Sequence, residues 1–288
     1  MTNLLNDPVI QESIKKAANF IHQADTLIIA AGAGMGVDSG LPDFRGNIGL
    51  WKAYPALYRA ELSFMEIANP WAFEKDPELA WGFYGHRLAL YRNTIPHEGF
   101  SILKRWGSKM PQGHFVFTSN VDGQFQKAGF AESRIYECHG SIHYLQCTLP
   151  CIDQIWRANE FVPKVNTDTC RLVNEMPVCP YCNNIARPNI LMFGDWSWIS
   201  DRAHVQRENL DTWLLSPKNP VIIEIGAGTA VSSVRDFSKR IIEDYNGHLI
   251  RINPTNCILT RQQDIGLPLN ALEALTAIDH ELGQFWQD

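Results

Sequence analysis

The sequence predicts an α/β fold: a parallel sheet with helices on both faces, joined to a second, smaller lobe. Three observations predict it. Short apolar runs typical of buried strands alternate with stretches of helical periodicity. Four of those runs end in glycines or polar residues, at Gly32, from Thr118 to Asp122, from Gly226 to Thr229 and at Asn253. In open parallel sheets ligands bind at such carboxyl ends. Finally, Cys138, Cys147, Cys151, Cys170, Cys179 and Cys182 crowd into one central stretch, which sets a separate module apart, and only Cys257 lies elsewhere.

Each element follows from local chemistry. Asp7 suits a helix cap with Pro8 in the first turn, and Ile10, Ile14, Ala17 and Ile21 recur at helical spacing. "TLIIAAGAG" reads as a short buried strand that runs into a glycine turn. From Trp51 to Trp106 the chain is aromatic and mostly helical, and "PWAFEKDPELAWGFYGHRLALY" carries the helical period. "HFVFTSN" is a second strand and "RIYECHGS" a third. Between Cys147 and Cys182 the prolines Pro150, Pro163, Pro177 and Pro180 break regular elements. "NPVIIEIGAG" is a strong buried strand, "GHLIRINPT" another, and "NALEALTAIDHELGQFW" an amphipathic helix. The aromatic and cysteine-rich segments interrupt the sheet and form the smaller lobe.

Bulk properties exclude several classes. A chain of 288 residues with 45% hydrophobic and 19% charged residues has the balance of a globular protein able to bury a substantial core. A net charge of -6 offers no global positive field for nucleic acid or anionic lipid. No apolar run approaches the roughly 20 residues that span a bilayer. The N-terminus lacks a basic region followed by an apolar one, so the expected location is the cytoplasm, with reduced cysteines.

Several motifs carry chemistry. Gly32, Gly34 and Gly36 follow a strand and let the backbone approach a pyrophosphate. Their spacing is not the dinucleotide fingerprint, so a nucleotide loop and a plain strand-to-helix turn both stand. Asp43 and Arg45 read equally as a surface ion pair, and Phe44 as core. Cys147 with Cys151 and Cys179 with Cys182 form two pairs at the spacing of a closed, structural zinc site. Cys170 is an alternative ligand, and Cys138 reads as a packed strand residue. His139 ends a strand and is a general base or a structural histidine, whereas His114 and His143 have weaker contexts. Asn120 and Asp122 either bond ribose hydroxyls and an amide or end their strand in an Asx turn.

Taken in order, these pieces resemble the sirtuin (Sir2) family of NAD-dependent protein deacylases. "GAGMGVDSGLPDFRG" resembles the family's first NAD motif, and "GLWKAYP", "WAFEKDPELAWGFYGHR" and "IPHEGFSILKRW" the helical segment after it. "TSNVDG" is similar to the second motif and "CHGS" to the catalytic-histidine motif, with the cysteine pairs following at the zinc position. "ARPNILMFGD" resembles the segment leading into the acyl-peptide groove, and "IGAGTAVSSV" and "INPT" fall where two further NAD-contacting loops lie. The match covers nearly the whole chain.

The resemblance implies one catalytic domain with NAD between two lobes. The Rossmann-like lobe would take about 1–46, 110–140 and 186–288, and the smaller lobe a helical insert of about 47–109 and a zinc module of about 141–185. In the implied reaction the acyl-lysine oxygen attacks the ribose C1′ as nicotinamide leaves. The acyl group ends on ADP-ribose and the lysine is freed. His139, Asn120 and Asp122 match the catalytic positions, His139 as base for a ribose hydroxyl and the other two on the nicotinamide-ribose and carboxamide side. Gly32, Ala33, Gly34, Asp43, Phe44, Arg45, Ser119, Gly226, Gly228, Thr229 and Asn253 match cofactor-binding positions. Zinc would hold the small lobe through Cys147, Cys151, Cys179 and Cys182. The implied partner is an acylated protein or peptide, with neither membrane nor direct nucleic-acid binding. An NAD glycohydrolase or ADP-ribosyltransferase on the same scaffold is the alternative enzyme, and an NAD-sensing module the non-enzymatic one.

The chain departs from the family pattern in places. Gly36 stands where serine is common, Ser119 where glutamine is, and Gln124-Phe125 where Leu-His is. Gly226-Ala227-Gly228 replaces Gly-Thr-Ser, with Thr229 offering a hydroxyl one step later. The segment from Trp51 to Trp71 is longer than usual, and "FGDWSW" lacks the usual proline. Members that favour succinyl or malonyl groups carry a Tyr and an Arg near the cofactor loop. Tyr54, Tyr58 and Arg59 lie nearby and read more simply as solvent-facing helix residues.

Overall fold

Helix α1 (Pro8–Gln23) starts where its chemistry dictates. The Asp7 carboxylate accepts a hydrogen bond from the Val9 N–H at 2.8 Å, and Ile10, Ile14, Ala17 and Ile21 face inward. β1 (Thr26–Ala31) is buried at every position, the pattern of a central parallel strand. The computed structural model describes residues 4–43, 46–149, 151–217 and 219–286.

After β1 comes a 3₁₀ turn (Ala33–Ser39), then the aromatic segment. It is a series of helices: α2 (Gly46–Ala53), α3 (Pro55–Arg59), α4 (Phe64–Ile67), α5 (Pro70–Lys75), α6 (Pro77–Asn93) and α7 (Glu98–Lys109). Pro55, Pro70 and Pro77 each open a helix, because proline lacks an N–H and bars its predecessor from helical geometry. The stretch that carries the helical period is two helices, α5 and α6, parted at Asp76. The Asp76 carboxylate caps α6 by accepting from the Leu79 N–H.

The remaining elements in chain order are β2 (His114–Thr118), α8 (Gln124–Lys127), β3 (Ile135–Glu137), β4 (Gly140–Cys147), β5 (Ile155–Arg157), β6 (Val165–Asn166), β7 (Arg171–Leu172), β8 (Ala186–Ile190), α9 (Asp201–Trp213), β9 (Pro220–Ile225), α10 (Ser233–Tyr245), β10 (His248–Ile252), β11 (Ile265–Leu267) and α11 (Ala271–Phe285). The large sheet runs β11-β10-β9-β1-β2-β3, parallel throughout. Chain order reverses between β1 and β9, the doubly wound arrangement that opens a crevice at the strands' carboxyl ends. One face packs against α1, α7 and α11 through residues such as Ile14, Trp106 and Leu275; the other packs against α9 and α10 through Leu210, Phe237 and Ile241.

The smaller lobe has its own core. Tyr54, Leu57, Phe73, Trp81, Phe83 and Leu88 from the helices meet Ile142, Leu145 and Ile190 of an antiparallel β5-β4-β8 sheet. Three elements depart from the sequence reading, and β8, expected in the Rossmann-like lobe, is one: it pairs with β4 in the smaller lobe's sheet. α7, expected in the helical insert, buries Phe100, Leu103 and Trp106 in the large sheet's core. "RIYECHGS" is two strands: Gly140, at φ +77°, turns the chain from parallel β3 into antiparallel β4. β8 is fully buried yet contains Arg187, whose guanidinium bonds the Asp195 carboxylate at 2.9 Å with side chains 1% and 0% exposed. No described helix is long and apolar enough to cross a membrane.

Candidate active site

A cavity of about 560 Å³ lies between the carboxyl edge of the large sheet and the smaller lobe. Its floor is the crevice between β1 and β9. There the two glycine loops touch: the Gly32 N–H donates to the Ile225 carbonyl at 2.9 Å and the Gly34 N–H to the Gly226 carbonyl at 3.1 Å. A Cβ on Gly32 would fall 2.8 Å from the Gly226 oxygen, and one on Gly226, at φ +63°, 2.4 Å from the Gly34 backbone. Part of the glycine signature is therefore loop-on-loop packing. Gly228 differs: a Cβ there would meet no protein atom within 4 Å, so its side faces the cavity space. Arg235 secures that loop, donating to the Ala227, Gly228 and Asn256 carbonyls.

Most of the expected residues converge. Gly32, Ala33, Gly34, Asp43, Ser119, Asn120, Asp122, His139, Gly226, Gly228 and Thr229 all line the cavity. Phe44 and Arg45 lie outside the described residues. Asn253 does not line it. Its Nδ2 donates to the Ala227 carbonyl at 2.9 Å and its Oδ1 accepts from the Thr255 and Asn256 N–H groups, so it braces the loop from behind.

The polar groups are held in place. The Asn120 Nδ2 donates to the Gly32 carbonyl at 3.0 Å and its N–H to the Thr118 hydroxyl, which joins the first two loops. Asp122 accepts from the Gln124 N–H at 2.9 Å, the Asx turn that "TSNVDG" suggests. Burial pushes its carboxyl up to about 6; Glu137 adds to the rise, and the Gln124 N–H and Arg87 oppose it. The His143 ring meets the Asp122 carbonyl at 2.9 Å and packs on Gly123, supporting this loop. His139 is half-buried. Burial lowers its pKa, against a hydrogen bond to the Ser119 carbonyl, so the ring is neutral near pH 7. Its Nε2 lies 3.1 Å from the Ser233 hydroxyl. His114 sits away from the cavity against Phe130, its pKa driven to about 4 chiefly by burial.

The opposite wall comes from α6, and the sequence reading missed it. Tyr84, Arg87 and Tyr91 share one helical face and line the cavity. The Arg87 Nε donates to the Tyr91 hydroxyl at 2.9 Å, and its guanidinium carbon lies 5.1 Å from the Phe83 ring centre and 5.8 Å from that of Tyr84. Burial raises the Tyr84 phenol to about 12, so it stays a donor. The findable signal was Tyr-x-x-Arg-x-x-x-Tyr within a helical period. The nearer candidates go elsewhere. Tyr54 is buried against His86, Tyr58 is 60% exposed, and Arg59 bonds the Asp168 carbonyl.

The cysteines form a second centre within the smaller lobe. The Sγ atoms of Cys147, Cys151, Cys179 and Cys182 all lie within 4.8 Å of one another, with Cys147–Cys182 at 3.5 Å and Cys151–Cys179 at 3.6 Å. Sulfurs about 2.3 Å from a tetrahedral zinc stand about 3.8 Å apart, so the set fits that ion and not disulfides. Asn183 turns at φ +64°, and the Asn184 N–H and side-chain amide hydrogen-bond the Cys182 sulfur and lower its pKa. Cys170 is buried in the lobe's core, apart from the cluster, and Cys138 borders the large sheet's core.

Known proteins resemble this chain in sequence and in fold. A model of the Sir2 family matches residues 32–231. The NAD-dependent protein deacylase 1 of Archaeoglobus fulgidus is 31% identical, over 91% of this chain and 94% of that protein. The NAD-dependent protein deacylase of Pyrococcus furiosus is 28% identical, over 93% of this chain and 97% of its own length. Among solved structures, a Sir2 homologue in complex with NAD superposes with a TM-score of 0.69 at 23% identity, covering 94% of each chain. Sir2Af2 bound to a myristoylated histone peptide has a TM-score of 0.60 at 18% identity, covering 96% of this chain and 98% of its own.

Proposed function

The chain belongs to the Sir2 family, and on that premise we propose that it is an NAD-dependent protein-lysine deacylase that releases nicotinamide and forms O-acyl-ADP-ribose. The observation that carries this reading is the convergence of Asn120, Asp122 and His139 with the glycine loops on one cavity that continues to Arg87. NAD, when bound, supplies a ribose carbon open to attack once nicotinamide departs. The chain's own residues supply the rest. Gly32, Ala33, Gly34, Gly226, Gly228 and Thr229 shape the backbone cradle for the phosphates, where the open side of Gly228 leaves room. Asn120 and Asp122, with Ser119, hold the ribose and carboxamide end, and Asp43 lines the same cavity. Neutral His139 accepts a proton from a ribose hydroxyl at Nε2. Enclosure between the lobes excludes competing water. Cys147, Cys151, Cys179 and Cys182 would hold a zinc ion, which would tie the smaller lobe together.

The substrate is an acylated lysine on a protein or peptide, as in the peptide complex of Sir2Af2. Arg87, with Tyr84 and Tyr91, puts a fixed positive charge and phenol groups on an otherwise apolar wall. That favours an acyl group ending in a carboxylate, of the succinyl or malonyl kind. The cytoplasm suits its free cysteines. The glycohydrolase and ADP-ribosyltransferase alternative is not favoured, since the curated relatives are deacylases. Acetyl-, succinyl- and malonyl-lysine peptides, each incubated with NAD, test the reading. Nicotinamide release should depend on peptide and be fastest with an acidic acyl group. Equal release without peptide would overturn it.

A further inference from the structure

Ser233 is the first residue of α10, next in sequence to the cavity-lining Val234 and close to the catalytic histidine. Its Oγ is 3.1 Å from His139 Nε2. The ring also hydrogen-bonds the Ser119 backbone carbonyl, and with Nε2 on Ser233 we assign that bond to Nδ1. A carbonyl only accepts, so that nitrogen carries the hydrogen of the neutral ring. Nε2 therefore holds the lone pair, and the Ser233 hydroxyl donates to it. Two fixed groups on different elements, the end of β2 and the start of α10, thus select one tautomer and one ring orientation.

We propose that Ser233 is a positioning residue for His139, holding the tautomer whose Nε2 is basic and then accepting a hydrogen bond from the protonated ring. The reading rests on the deacylase function proposed above. The proton balance is simple. A ribose hydroxyl loses its proton to Nε2, and the Ser233 hydroxyl rotates from donor to acceptor and keeps its own proton. The existing contact is a neutral hydrogen bond of ordinary length, weak enough for a ribose hydroxyl to displace. Cleavage of the nicotinamide bond precedes this proton transfer, so Ser233 acts on the later step.

The order of steps makes the test specific. Ser233→Ala and Ser233→Thr are compared with the parent protein in two assays with the same succinyl-lysine peptide and NAD. One follows O-acyl-ADP-ribose, and the other follows exchange of labelled nicotinamide into NAD. In Ser233→Ala, kcat for product should fall about three- to tenfold, the worth of one hydrogen bond. KM for NAD should move less than about twofold, and exchange should persist. Ser233→Thr, which keeps the hydroxyl, should restore the product rate. An unchanged product rate in Ser233→Ala, a parallel fall in exchange, or no rescue by threonine each overturns the inference alone. A parent protein that shows no peptide-dependent nicotinamide release overturns the functional reading, and the inference with it.

Discussion

The sheet wall of the cavity presents backbone loops that meet at Gly32 and Gly226, whereas the small-lobe wall presents side chains from the middle of a helix, Tyr84, Arg87 and Tyr91 on α6. The first wall uses conformational freedom: its loops approach one another so closely that a Cβ at either glycine would collide with backbone. The second uses regular geometry, which gathers a guanidinium and two phenols on one face by helical repeat alone. A cofactor of constant shape suits a wall made of backbone. A variable acyl group suits a wall made of side chains, since a side chain can be exchanged without disturbing a strand end. The division also predicts which changes destroy function and which redirect it.

The largest expected effect removes the helical wall's support. Cys179→Ser should abolish binding of about one zinc per chain and unfold the smaller lobe, because structural zinc binding is folding free energy. Metal analysis and a thermal melt check this, and a metal-free variant with the parent's melting temperature would count against it. Next is a change on the sheet wall. His139→Ala should lower product formation by about 10²- to 10⁴-fold while ADP-ribose binding stays within a few fold. Calorimetry beside turnover separates the two, and equal losses would make the histidine a binding residue.

A smaller effect comes from Arg87→Met. The preference for succinyl- over acetyl-lysine peptide, measured as the ratio of kcat/KM, should fall by about 10- to 100-fold, the range of a hydrogen bond to a charged group. Both substrates falling together would give Arg87 a packing role and erase the contrast between the walls. The smallest effect is one of pH. The Asp122 carboxyl is raised from 3.8 to about 6 by burial, so it is ionised above that pH and protonated below it. The folded state takes up this proton before the unfolded chain does, so its burial destabilises the fold above about pH 6 and the penalty fades as pH falls. Asp122→Asn should therefore raise the melting temperature at pH 7.5 more than at pH 5. In the parent protein, kcat/KM for NAD should decline below about pH 6. A pH-independent difference in melting temperature would show that the buried charge is not the cause.

Much of the sheet wall was legible because its signals are local. β1, β2, β9 and β10 announce themselves as apolar runs, and each ends in residues unsuited to a strand interior. The cysteine pairs were legible for the same reason, since each knuckle closes within a few residues. The helical wall was not. Tyr84 and Arg87 sit in a helix buried on nearly every side, so the period that marks a helix does not show which face meets a cavity. Arg187 looks like a surface residue, and Asp195 across the turn, with the Ile190 carbonyl and the Ser197 hydroxyl, makes its burial tolerable. Asn253 ends its strand as expected, but the side chain points back to the Ala227 carbonyl.

By itself, then, the sequence determined the parallel sheet, the strand ends that line the cavity and the four cysteines that cluster, while its resemblance implied the family. All of these rest on neighbours close along the chain: alternation, turn residues, caps and paired cysteines. The tertiary structure alone decided that Gly32 and Gly226 meet, that α7 serves the large sheet and not the insert, that α6 turns Arg87 toward the cavity, and that Ser233 reaches His139. These contacts join residues far apart in the chain, and they form only when strand order and lobe packing bring distant faces together.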